Sequence, residues 1–118
     1  MKNISVKAKN NLAERLTLYN LNLVDFINSL PKEAEVHTIG YELLSRGTNM
    51  LVNFNEMKRT KDRSLYEKYI RYTQRICAES QFLFLKLLHK NGADKKEIGY
   101  FTDELSNYNN LFYKKLAA

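Results

Sequence analysis

Residues 63–90 read RSLYEKYIRYTQRICAESQFLFLKLLHK, and the way this stretch divides around a helix decides the fold. Tyr66, Tyr69, Thr73, Ile76, Ser80, Leu83 and Leu87 recur at alternating steps of three and four, a heptad-like spacing. With Arg71 at zero and about 100° per residue, these positions and Leu65, Ile70, Cys77, Phe84 and Leu88 fall between roughly 120° and 260°. That arc faces a core. Lys61, Lys68, Arg71, Arg75, Lys86 and Lys90 fall between roughly 0° and 100°, a cationic stripe on the other side.

The stripe concentrates the charge of the whole chain. Residues 58–90 hold nine cations (Lys58, Arg59, Lys61, Arg63, Lys68, Arg71, Arg75, Lys86 and Lys90) against Asp62, Glu67 and Glu79, a net +6. The full 118-residue chain is also +6, so the remainder is balanced. A solvated helix face ordinarily mixes signs. Here only Glu79 interrupts the cations, so pairing along the helix is not expected to neutralise them. Localised positive charge on a small domain points to a polyanion, nucleic acid first, with those nine residues as candidate phosphate contacts. A merely solvated outer face is the alternative.

Working outward, the same periodicity recurs between breakers at Ser29-Leu30-Pro31, at the charged run Lys58 to Ser64 and at Asn91-Gly92. Leu12, Leu16, Tyr19, Leu23, Phe26 or Ile27, and Leu30 form one apolar stripe. Val36, Ile39, Leu43, Gly47, Met50 or Leu51, and Phe54 form a second, and Ile98, Phe101, Leu105, Tyr108 and Phe112 another. Gly40 and Gly47, on one side of the second segment, suggest close approach of a neighbouring helix; glycines tolerated without a role are the alternative. Asn91-Gly92 reads as a left-handed helix stop and Asp94 as an N-cap. The spacing predicts helices over about 3–29, 32–57, 63–91 and 94–116. Three short loops make these an all-α, antiparallel up-down-up-down four-helix bundle, one domain over 1–118.

Phe82 and Leu85 lie outside the core arc of the third helix, and Leu18, Leu21, Tyr41 and Leu44 lie off the stripes of theirs. Large exposed apolar groups mark contact surfaces, so Tyr41, Leu44, Phe82 and Leu85 are expected at subunit contacts of a homo-oligomer. Singly exposed hydrophobics are the alternative. Among the eight Tyr and six Phe, Tyr72 alone borders the basic arc, where it could contact a base.

The single cysteine, Cys77, cannot form an internal disulfide and reads as a small core residue. No apolar run reaches the roughly 20 residues of a membrane span, and the amino-terminal stretch has no apolar targeting core. A cytoplasmic protein without membrane contact is expected. His37 and His89 are isolated, and Glu35, Glu42 and Glu56 are too far apart along their helix to share a metal. No phosphate-cradling glycine loop, deaminase signature or nucleophile with its base occurs. An enzyme, a metal or a cofactor is therefore not expected.

The start of the second helix, LPKEAEVHTIG from Leu30 to Gly40, resembles a pattern of hydrophobic-Pro-Lys followed by Thr-Leu-Gly, matched by Leu30, Pro31, Lys32, Thr38, Ile39 and Gly40. That pattern is found in the bacterial accessory variability determinant (Avd) proteins, which accompany the reverse transcriptase of diversity-generating retroelements. The next stretch, Leu43 to Met57, is more similar to the related four-helix proteins encoded in intervening sequences of 23S ribosomal RNA genes, with Arg46, Gly47, Thr48, Met50, Asn53 and Glu56 in comparable places. Asn49 stands where serine is usual, Arg46 is one place off, Ser80 to Phe84 lack the common acidic and tryptophan residues, and Asn109, Asn110, Leu111 and Phe112 replace a Gly-Gly-Trp. The resemblance implies a homopentameric barrel of four-helix bundles. In the Avd group it also implies a basic surface that binds RNA and DNA and docks on the reverse transcriptase; in the other group the implied role is an oligomeric scaffold.

Overall fold

The computed structural model describes residues 11–90 and 92–117. Four helices, α1 (Leu12–Asn28), α2 (Ala34–Arg59), α3 (Arg63–Leu88) and α4 (Lys95–Ala117), follow one another, and no strand occurs among the described residues. Each helix packs on the next, and α1 meets α4 to close the ring. The fold class is all-α with four helices, as the periodicity predicts. The expected extension of α1 back to residue 3 lies outside the described residues. α3 stops at Leu88 rather than 91, and His89 is its C-cap.

Short polar side chains set the helix starts. Asn11 accepts a hydrogen bond from the Glu14 amide at 3.1 Å. Asp62 accepts from Ser64 and Leu65, and Asp94 from Lys96 and Glu97. Each side chain satisfies amides that the first helical turn leaves open. Gly92, at φ +85°, supplies the left-handed turn between α3 and α4. The connection between α2 and α3 is only Thr60–Asp62, so Lys58 and Arg59 end one helix and Arg63 begins the next. The charged run Lys58 to Ser64, expected to separate the two helices, is mostly helix ends. Cations in the last turn of α2 are favourable there, next to the negative end of its dipole.

The core centres on aromatic rings from three helices. Phe101 of α4 stacks on Phe84 of α3, with centroids 5.1 Å apart and planes within 7°. It also meets Phe26 at 5.2 Å and Tyr19 at 5.6 Å, both from α1. Leu43, Met50 and Phe54 bring α2 into the same buried cluster. Most of the aromatics are thereby used for packing.

Between α1 and α2 the two glycines permit the close approach that their spacing suggests. A methyl group on Gly40 would stand 3.1 Å from Ile27 Cγ2, and one on Gly47 would collide with Asn20 Oδ1. Asn20 occupies that space because its Nδ2 donates both to Leu16 O at 3.0 Å and across to Gly47 O at 3.1 Å. Alanine at Gly47 would gain about 1 kcal/mol of helix propensity. Displacing Asn20 costs about 1–3 kcal/mol in overpacking and about 1 kcal/mol in lost hydrogen bonding. Gly47→Ala is expected to lower stability by about 1–3 kcal/mol in urea denaturation, and a stabilised variant would contradict the close approach.

Four acidic protons are held by the core. Cys77, whose Sγ lies 3.5 Å from Met50 Sδ, has its thiol pushed up to about 12 by burial. Burial likewise pushes the Tyr100 phenol up to about 12, and raises Tyr19 and Tyr108 further. At Tyr19 the Ser80 hydroxyl pulls the other way, weakly, because the two oxygens stop short of a full hydrogen bond. These groups stay protonated in the folded chain at pH values where the unfolded chain has released its protons. Stability is therefore intact below pH 9.0, the ordinary thiol value, and falls as pH rises through it and through 10.0 for the phenols. The limiting slope is about 1.4 kcal/mol per pH unit for each fully buried group. Urea midpoints are expected to drop steadily from pH 9 to 11; a flat profile would contradict this account.

Candidate nucleic-acid interface

The nine candidate cations lie along α3 and at its junction with α2, but the structure divides them into two sets. Four have carboxylate partners. Lys90 Nζ reaches Glu35 of α2 at 2.8 Å, and that hydrogen bond raises the lysine above its ordinary value while lowering the glutamate. Arg63 pairs with Glu67 at 3.0 Å, Arg59 with Glu56 at 3.6 Å, and Arg75 with Glu79 at 4.0 Å. Glu79 also accepts from Arg46 of α2 at 3.2 Å. The expectation that pairing leaves the stripe unneutralised is thus corrected. Glu67 lies off the stripe on its own helix, and Glu35 and Glu56 come from α2.

Lys58, Lys61, Lys68, Arg71 and Lys86 form the second set. All five are exposed, and among the described residues no carboxylate lies within ion-pair distance of them. Lys58 lies over the Phe54 ring at 5.2 Å and Lys86 over Phe82 at 5.0 Å, contacts that hold an ammonium in place while leaving its charge unmatched. Four of the five cluster at one end of the bundle, where α2 stops and α3 starts; Lys86 lies in the last turn of α3, just beyond which Lys90 is neutralised.

The same end gains cations from elsewhere in the chain. Antiparallel packing returns the end of α4 to the beginning of α3, where an Arg63 guanidinium nitrogen lies 3.5 Å from Leu116 O and Arg71 lines a surface cleft with Tyr113, Leu116 and Ala117. Lys114 and Lys115, in the last turn of α4, therefore join the basic end. Their signal was present in the topology: in an up-down bundle the last turn of the fourth helix must lie beside the junction of the second and third.

No protein-family model, curated protein or solved structure matches the chain. The residues that carry the resemblance to the Avd and intervening-sequence proteins have local jobs here. Leu30 and Ile39 are buried, Gly40 and Gly47 admit α1, Thr38 bonds back to Ala34 O at 3.0 Å, and Arg46 reaches Glu79. Packing and ion pairing account for them in this bundle.

The expected subunit contacts divide as well. Tyr41, Phe82 and Leu85 are 70%, 58% and 51% exposed, as their positions off the stripe predict. Leu44 is partly buried and packs against the core, so it is less open to a partner than the other three. Leu65 departs in the opposite sense, assigned to the core arc yet 41% exposed. Across from it α2 presents Asn49 and Asn53, whose short polar side chains leave a cleft instead of a packed wall. Among the described residues there is no cluster of three metal-ligating side chains and no helix long and apolar enough to cross a membrane.

Proposed function

We propose that this protein is a non-enzymatic nucleic-acid-binding accessory protein, similar in role to the Avd subunits that partner a reverse transcriptase. The observation that carries this reading is the unmatched charge of Lys58, Lys61, Lys68 and Arg71 at one end of the bundle. Ion pairs within a fold have already used the cations that packing needs; those left over, exposed and gathered at one end, suit an external polyanion. Contacts of this kind grip phosphates and carry no sequence information. Binding is expected to be sequence-independent, on single-stranded RNA or DNA.

A homo-oligomer, pentameric by resemblance, belongs to the same reading. Its support is the exposed apolar set Tyr41, Phe82 and Leu85, which an assembly would cover. The second reading, an oligomeric protein-interaction scaffold, is favoured by the same residues, because Phe82 and Leu85 stand beside the cationic stripe where an acidic partner could dock.

Fluorescence anisotropy with labelled single-stranded RNA and DNA at low ionic strength tests the proposal. Comparable binding to unrelated sequences is expected. No binding at low salt, with an acidic protein partner still retained, would favour the scaffold instead. Light scattering of the same samples tests the assembly, and a monomeric mass would overturn it.

A further inference from the structure

Between α2 and α3, next to the basic end, lies a cleft of ≈ 330 Å³ lined by Asn49, Asn53, Leu65, Lys68, Tyr69 and Tyr72. We infer that it accepts an unstacked base of a single-stranded nucleic acid, an inference that rests on the proposed phosphate-binding function and adds a base subsite to it.

Four observations converge there. Tyr72 is 46% exposed, unlike the aromatics of the core, and the Arg75 guanidinium lies over its ring at 5.3 Å. A phenol ring and a planar guanidinium are the groups on which bases stack. Leu65, half-exposed where its position on the helix called for burial, gives the cleft an apolar wall. Asn53 lines the cleft, and its Nδ2 is shielded from solvent without a hydrogen-bond acceptor, an unmet donor costing about 1–3 kcal/mol that a turn of the side chain towards an occupant of the cleft would relieve. A base edge presents such acceptors, and the Asn49 amide beside it offers both a donor and an acceptor. Lys68, on the rim and without a carboxylate partner among the described residues, is placed for the adjoining phosphate.

The surroundings are consistent with this occupant. Three acids of α2 and α3 are engaged by cations of the fold, Glu35 on Lys90, Glu56 on Arg59 and Glu79 on Arg46 and Arg75. The cleft itself is lined by no carboxylate, so a polyanion approaching it meets amides, aromatic rings, Leu65 and Lys68. A duplex keeps its bases stacked and would contact only the cations.

Tyr72→Ala, Tyr72→Phe and Asn53→Leu, each checked for native helicity, test the inference against three labelled probes: a single-stranded oligonucleotide, an abasic strand of the same length, and a duplex. Stacking contributions predict a fivefold to hundredfold weaker grip of Tyr72→Ala on the base-bearing strand. Binding to the abasic strand and the duplex should be unchanged, Tyr72→Phe should bind like the native protein, and Asn53→Leu should weaken only the base-bearing strand. If the native protein grips the abasic strand as tightly as the base-bearing one, and Tyr72→Ala changes neither, the base cleft is wrong while phosphate binding stands. If the native protein binds none of the probes at low salt, both readings fall.

Discussion

Glu104→Ala is expected to destabilise the bundle by about 3–5 kcal/mol, the cost of leaving a buried charge without its partner. Glu104 is 8% exposed on α4, and its Oε1 accepts from Arg15 Nη2 of α1 at 2.7 Å. Both side chains are largely enclosed. The Arg15 guanidinium also lies over the Tyr108 ring at 5.4 Å, while the Tyr108 hydroxyl donates to Arg15 O at 3.0 Å. One ion pair thus organises the contact between the first and last helices, the thinnest seam of the ring. Alanine removes the carboxylate and leaves the guanidinium in a site that water reaches poorly. Replacing both partners with leucine removes both desolvation costs and is expected to recover most of the loss. Guanidinium denaturation followed by far-UV circular dichroism measures both; equal stability of Glu104→Ala and the native chain would remove the pair from this role.

The second large effect concerns binding. Reversing Lys61, Lys68 and Arg71 together to Glu is expected to weaken single-stranded RNA and DNA binding by about a hundredfold or more at low salt, because three phosphate contacts become repulsions. Folding should be little affected, since all three side chains are exposed and none has a carboxylate partner among the described residues. Reversing Lys90 instead should cost stability rather than affinity, because Lys90 is engaged with Glu35. Equal losses of affinity in the two variants would mean that the whole stripe, rather than its unmatched end, contacts nucleic acid. Loss of partner co-purification from the triple variant with nucleic-acid binding intact would favour the scaffold.

The two variants differ in how visible their rationale was. Helix number, helix faces and the exposure of Tyr41, Phe82 and Leu85 follow from periodicity within single segments, because each residue's angle on its own helix decides them, and the cap at Asp94 follows from its residue type at a helix start. Glu35 with Lys90 and Arg15 with Glu104 join residues 55 and 89 positions apart. Such pairs depend on which helices are neighbours and how each is rotated, quantities that no single stripe contains. The same limit explains Leu44 and Leu65. A wheel places both near the edge of an arc, and the neighbouring side chains, core packing for one and two asparagines for the other, decide which side of the edge they take. Tyr72 was legible as a border aromatic, but the cleft beside it required both helices. Lys114 and Lys115 required only the topology.

The most direct test of the central claim is the salt dependence of binding to a single-stranded oligonucleotide, comparing the native protein with the Lys61, Lys68 and Arg71 reversal. Counterion release makes log Kobs fall linearly with log salt by about 0.7 for each phosphate neutralised on a single strand. Four to five contacts from the unmatched cations predict a slope of about −3 for the native protein; losing three of them should flatten it by about 2, to about −1. A native slope near zero, or a steep slope unaltered by the reversal, would contradict the assignment of nucleic-acid binding to these residues.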